Sequence, residues 1–172
     1  MKRIERSATT HPHDRRIVGR AQDDARHDPY EARGKPPEPT VCPHCGAVFH
    51  HGRWQWLARP EEAHRTACPA CLRIRGKDPA GVVMLTGGFV QAHGAEIRGL
   101  IRHQEEQEKR QHALNRIMAI RDLPDGIEIT TTDIHLPRRI GEAVERAYGG
   151  ALDYHYEDDR YFLRVFWSRE GG

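Results

Sequence analysis

Four cysteines carry the clearest chemistry in this 172-residue chain. They form two short motifs, Cys42-Pro-His-Cys45 and Cys68-Pro-Ala-Cys71, separated by 22 residues. Two residues between cysteines let both sulfurs turn toward one point, with the intervening backbone amides facing the sulfurs. Two such knuckles complete a closed tetrahedron around zinc, at about 2.3 Å per Zn–S bond. Gly46 follows the first knuckle, where a backbone of positive φ is convenient. Cys42, Cys45, Cys68 and Cys71 are therefore the expected ligands of one structural zinc ion. Structural disulfides, an iron site and a redox pair are the competing readings. A reducing compartment disfavours the first, and a redox CxxC normally occurs once, at a helix start after a strand. A set filled by four cysteines leaves no open position for catalytic water. His44, His50, His51 and His64 lie nearby and read as loop or surface residues.

Other catalytic patterns are missing. Neither Gly87-Gly88 nor Gly94 continues into a phosphate-binding loop. There is no GxSxG elbow and no HExxH, and the only serines are Ser7 and Ser168. Thr130-Thr131-Thr132-Asp133 with His135 reads as a strand end followed by a helix N-cap, not as an acid–base cluster. The expectation is a protein that is not an enzyme.

Basic and aromatic residues gather around the knuckles. Residues 41–80 hold six Lys+Arg against three acids. Arginine holds phosphate and aromatic rings stack on unpaired bases, so Arg53, Trp54, Trp56, Arg73, Arg75 and Lys77 are the expected RNA contacts. The alternative is that the tryptophans pack beneath the knuckles. Arg138, Arg139 and Arg146 form a second candidate surface. Positions 139 and 146 are seven apart and share one helix face.

Four segments must position these residues. Residues 1–40 are sparse in large apolar side chains, carry Lys35-Pro-Pro-Glu-Pro39, and read as an extended or disordered arm that includes Arg15, Arg16, Arg20 and Arg26. Residues 41–88 read as a zinc ribbon. In it Val48-Phe49 pairs with Trp54–Leu57 as a hairpin, and Val82-Val83-Met84-Leu85 follows knuckle two as a strand. Residues 89–113 read as a linker helix whose apolar stripe fades after Ile101, leaving a solvated bridge. In 114–168 the order is β-β-α-β-β. Leu123-Pro-Asp-Gly126 is a turn, Asp133 an N-cap, and Tyr161–Trp167 an alternating strand. The expected class is α+β: a zinc ribbon linked by a helix to a small antiparallel-sheet domain, with an extended N-terminal arm.

These motifs resemble a small bacterial zinc-ribbon family of uncharacterised function. The resemblance covers most of residues 25–168. It rests on the two CPxC knuckles, Arg53-Trp54-Gln55-Trp56, and Ile129-Thr-Thr-Thr-Asp133 through Arg138-Arg139-Ile140-Gly141-Glu142-Ala143. That family is similar in turn to the N-terminal region of the large-ribosomal-subunit export adaptor of archaea and eukaryotes. This implies zinc binding, contact with the large subunit or its RNA, and a role as a ribosome-associated stress or assembly factor. Nuclear export does not carry over, because the adaptor's further domains and export signals have no counterpart in 172 residues. The adaptor region holds more than one zinc, whereas four cysteines support one.

Composition bounds these expectations. A formal charge of +2 and mean hydropathy of −0.79 exclude a uniformly basic nucleic-acid coat protein. The charge is uneven, with an excess of bases in residues 1–80 and nine acids against six bases in 127–172. The longest apolar runs are too short to cross a bilayer. The first residues lead into no apolar stretch, so a cytoplasmic location without membrane contact is expected. A non-catalytic ribosome- or structured-RNA-binding protein is the leading reading. A protein-interaction adaptor docking through residues 114–168 and a thiol-based redox sensor are the alternatives.

Overall fold

A computed structural model describes residues 28–31 and 34–171 of the chain. Among these residues the protein is α+β, with two small sheets and three helices.

The smaller sheet is made of four very short strands, β1 (Thr40–Val41), β2 (Val48–His50), β3 (Arg53–Gln55) and β4 (His64–Arg65), in the order β3-β2-β1-β4. The β2–β3 hairpin closes on His51 and Gly52, both with positive φ, the two-residue turn that matches strand twist. Glu38 accepts hydrogen bonds from both turn amides, at 2.9 and 2.8 Å, and ties the hairpin to the segment before β1.

Helix α1 (Pro69–Gly76) follows the second knuckle, where the sequence reading assigned no helix. Its start is local chemistry. Pro69 occupies the first turn and the Cys68 sulfur accepts the Cys71 amide at 3.5 Å. Its end is Lys77, whose left-handed backbone returns its amide to Arg73 and Ile74.

The strand read as part of the ribbon, β5 (Gly81–Thr86), instead lies at the centre of the larger sheet. That sheet runs β6-β7-β5-β9-β8, with β6 (Ile117–Leu123), β7 (Gly126–Thr131), β8 (Ala151–Tyr156) and β9 (Leu163–Ser168). β5 pairs antiparallel with β7 and parallel with β9, so the expected all-antiparallel sheet is in fact mixed. The physical reason is burial. A continuous apolar run suits a strand covered on both faces, as an interior strand commonly is. Val83 and Leu85 face the helices, and Val82 on the other face is also buried.

Helix α2 (Gly88–Gln111) is not merely a solvated bridge. Phe89, Val90, Ile97 and Ile101 enter the main core, and a non-helical backbone at His93 kinks the first turns. Its polar last third reaches the cysteine unit, where Trp56 donates its indole N–H to the Lys109 carbonyl at 2.7 Å. Helix α3 (His135–Tyr148) buries Leu136, Ile140 and Val144 against the same sheet face. The Asp133 carboxylate caps it, accepting the His135 and Leu136 amides at 2.7 and 2.9 Å. Gly81 permits this docking, because a Cβ there would stand 2.3 Å from the Pro137 ring.

Residues 28–31 and 34–40 belong to the segment expected as an arm. Asp28 is buried on α1 and Thr40 in β1, while Pro29, Glu31, Gly34, Lys35, Pro37 and Glu38 are exposed. Arg15, Arg16, Arg20 and Arg26 lie outside the described residues. No described helix is long and apolar enough to cross a membrane.

Candidate metal centre

Short strands deliver both knuckles to one point. Cys42 directly follows β1, and its carbonyl accepts the Gly46 amide at 2.9 Å while its own amide donates to Ala47. Gly46 has φ of 79°, as a tight knuckle requires. On the other side, Thr66 donates its amide to the Val41 carbonyl, which brings the chain from β4 alongside β1 and into Cys68. The four Sγ atoms of Cys42, Cys45, Cys68 and Cys71 all lie within 4.8 Å of one another. All four cysteines of the chain are free thiols. No histidine belongs to this group among the described residues.

The donor chemistry fits a metal ion. Cys42 and Cys68 are buried, and Cys45 and Cys71 half-buried. The Cys68 amide donates to the Cys42 sulfur at 3.3 Å and the Cys71 amide to the Cys68 sulfur at 3.5 Å. Four soft sulfur donors that converge without forming a disulfide suit a tetrahedral site for a soft or borderline cation. At Cys42 burial opposes ionisation, yet the amides of Cys68, His44 and Cys45 bring the thiol down to about 7. Burial pushes Cys68 and Cys71 up, so a metal ion must displace their protons.

Sequence reasoning missed one residue of the centre. Arg116, immediately before β6, is only 7% exposed and points its guanidinium at the cysteines. It donates to Cys45 at 3.2 Å, to Cys71 at 3.5 Å and to Cys68 at 3.7 Å. Burial opposes its charge, but contact with Cys45 and Cys68 holds its pKa above the usual arginine value. Its Nε donates to the Ala113 carbonyl at 2.8 Å, which fixes the fork. No spacing in the sequence marks it, because it lies 45 residues beyond Cys71 and arrives through strand pairing.

The predicted RNA contacts divide sharply. Arg53, Arg75 and Lys77 are exposed, as is Arg146 on α3. Arg73 is not on the surface. It is 2% exposed, pairs with Asp28 at 2.7 Å and Asp78 at 3.6 Å, and stacks over Tyr30 at 4.3 Å. As part of the helix floor it is withdrawn from the set of surface contacts. Trp54 packs against the cysteine cluster and meets Phe49 edge-on at 5.5 Å. Trp56 is partly exposed but spends its N–H on α2, with Lys109 and Arg116 near its ring. Arg138 pairs with Glu142 at 2.9 Å, and Arg139 stands 3.9 Å from Glu108.

A cleft of about 1320 Å³ separates the cysteine unit from the tips of α2 and α3. Its lining includes Trp54 and holds Lys35, Arg53, Arg138 and Arg139 together with the acids Asp28, Glu31, Glu108, Asp133 and Glu142. At its floor, burial raises the Asp133 carboxyl to about 7, and one of its oxygens has no hydrogen-bond partner. Compared with known proteins, the chain matches no family model, no curated protein and no solved structure.

Proposed function

We propose that this chain is a non-catalytic, zinc-binding protein that associates with structured RNA, with the ribosome as its site of action. The observation that carries the RNA reading is the cleft. Arg53 with Lys35, and Arg138 with Arg139, come from separate segments and line the same opening. Guanidinium and ammonium groups gathered at one opening suit contact with phosphate, against five acidic residues in the same lining. Arg138 and Arg139 are exposed although their partners Glu142 and Glu108 are more buried, and at 3.9 Å the Arg139–Glu108 pair is loose enough for phosphate to compete for the guanidinium. Arg75, Lys77 and Arg146 are exposed outside the cleft, while Trp54 is part of its lining and offers a ring for stacking.

Zinc is the metal of this reading, because a closed set of four cysteine sulfurs suits a tetrahedral d¹⁰ ion and leaves nothing open for catalysis. The resemblance to the bacterial zinc-ribbon family and the export adaptor points the same way, toward a cytoplasmic stress or large-subunit assembly factor. Elemental analysis should find one zinc per chain. Sucrose-gradient sedimentation of cell extracts should place the protein with ribosomal particles at low salt and release it at moderate salt. Absence from every ribosomal fraction, in growth and in starvation, sinks the RNA reading.

A specific observation favours a protein partner as the second reading. The sheet face opposite the helices carries Phe166 at 43% exposure, with Met84 half-buried beside it in register. A pull-down that survives nuclease and loses its partner on Phe166→Asp supports an adaptor instead.

A further inference from the structure

The geometry points to Arg116 as a positioning residue that holds down the reactivity of the metal-bound thiolates. It rests on the reading of the four cysteines as metal ligands. Four thiolates around a divalent ion carry a net charge of −2, and the Arg116 guanidinium brings the buried unit to −1. That charge is not diffuse. One fork places N–H groups on three of the four sulfurs, and the fork cannot swing away because Nε is tied to the Ala113 carbonyl. Behind it, the Arg116 amide donates to the Thr132 hydroxyl at 2.9 Å and its carbonyl accepts the Thr132 amide at 2.9 Å. Arg116 is therefore anchored at the end of the β6–β7 pair while its guanidinium reaches the cysteine cluster.

The choice of sulfurs matters. Cys42 and Cys68 are sealed, but Cys45 and Cys71 line a small cavity of about 370 Å³ that also exposes His44, Ile74 and Arg75. These two accessible sulfurs are the ones Arg116 approaches most closely, at 3.2 and 3.5 Å. A hydrogen bond from a cation draws electron density from a thiolate and weakens it as a nucleophile. Arg116 thus guards the open side of the centre.

The test compares the zinc-loaded full chain with its Arg116→Gln and Arg116→Lys variants. The readouts are the rate of thiol alkylation by N-ethylmaleimide and zinc release to a chromogenic chelator. Arg116→Gln should react about tenfold faster, the rate equivalent of roughly one charge-assisted hydrogen bond. Arg116→Lys keeps the charge and should fall between the two. Equal rates for wild type and Arg116→Gln, each holding one metal, overturn the proposal. If Arg116→Gln does not load, cobalt substitution of Arg116→Lys decides. Its sulfur-to-metal charge-transfer band should move to lower energy, and a band identical to wild type overturns the assignment. A wild-type protein that binds no metal overturns this inference together with the reading beneath it.

Discussion

The two halves of this protein hold together by different means. The cysteine unit is built from strands of two or three residues, and the buried cluster at its metal centre contains Cys42, Cys68 and Ala70. The five-stranded unit buries a continuous cluster from Ala80 to Trp167, including Val83, Ile97, Ile129, Leu136, Ile140 and Val165. Each fully buried aliphatic side chain there contributes about 1.5–3 kcal/mol. The cysteine unit has a smaller apolar core, Val41, Ala47, Val48 and Phe49, so under the proposed reading its order depends on a bound metal ion and on its contacts with the larger unit. Arg116 and Trp56 make those contacts, one from the large sheet into the cysteines and the other from the small unit onto α2.

The largest effect is expected at the cysteine cluster. Cys42→Ser with Cys68→Ser should abolish zinc binding and remove on the order of 10 kcal/mol of metal-derived stability from the small unit. Fluorescence of Trp54 should shift to that of exposed indole while Trp167 keeps its buried spectrum, read in single-tryptophan versions of the protein. Full zinc retention by the double variant would overturn the ligand assignment. The reverse cut is Ile140→Ala. It should cost about 3 kcal/mol in denaturant unfolding of the large unit, yet leave zinc stoichiometry unchanged.

A smaller effect sits where the segment before β1 meets α1. Arg73 and Asp28 are both buried, so Asp28→Ala leaves Arg73 with only the longer contact to Asp78 and should cost about 2–3 kcal/mol, detected as faster proteolysis ahead of β1. The large unit also has a pH signature of its own. Asp133 is raised to about 7 by burial, against 3.8 in an unfolded chain. The folded state therefore binds the proton more tightly, and stability contributed by this group is full below pH 3.8 and lost as pH rises toward 7. Asp133→Asn should stabilise the large unit more at pH 8 than at pH 5, followed by thermal unfolding at both values. The smallest effect is at the surface. Arg53→Ala or Arg139→Ala should each lower the salt slope of RNA binding by about 0.7 if each neutralises one single-strand phosphate.

Local signals in the sequence were legible and non-local ones were not. The paired knuckles, the Phe49–Trp54 hairpin, the alternation of Leu163, Val165 and Trp167, and the Asp133 cap each depend on a few neighbouring residues. Strand β5 was visible as a strand, but its place between β7 and β9 depends on partners some 45 and 80 residues away. Its unbroken apolar run was the available clue that it sits inside a sheet and not at the end of a ribbon. Helix α1 was hidden because Cys68-Pro-Ala-Cys71 serves at once as a knuckle and as a helix start. Arg73 looked like a surface cation because nothing local reveals Asp28 beneath it, and Arg116 went unread for the same reason.

Amide hydrogen exchange, read by mass spectrometry on the full chain before and after zinc removal with a chelator, tests the division between the two halves most directly. The account predicts that residues 40–76 lose protection while peptides from β5, β7 and β9 keep theirs. Unchanged exchange across residues 40–76, or loss of protection in both units together, would contradict it.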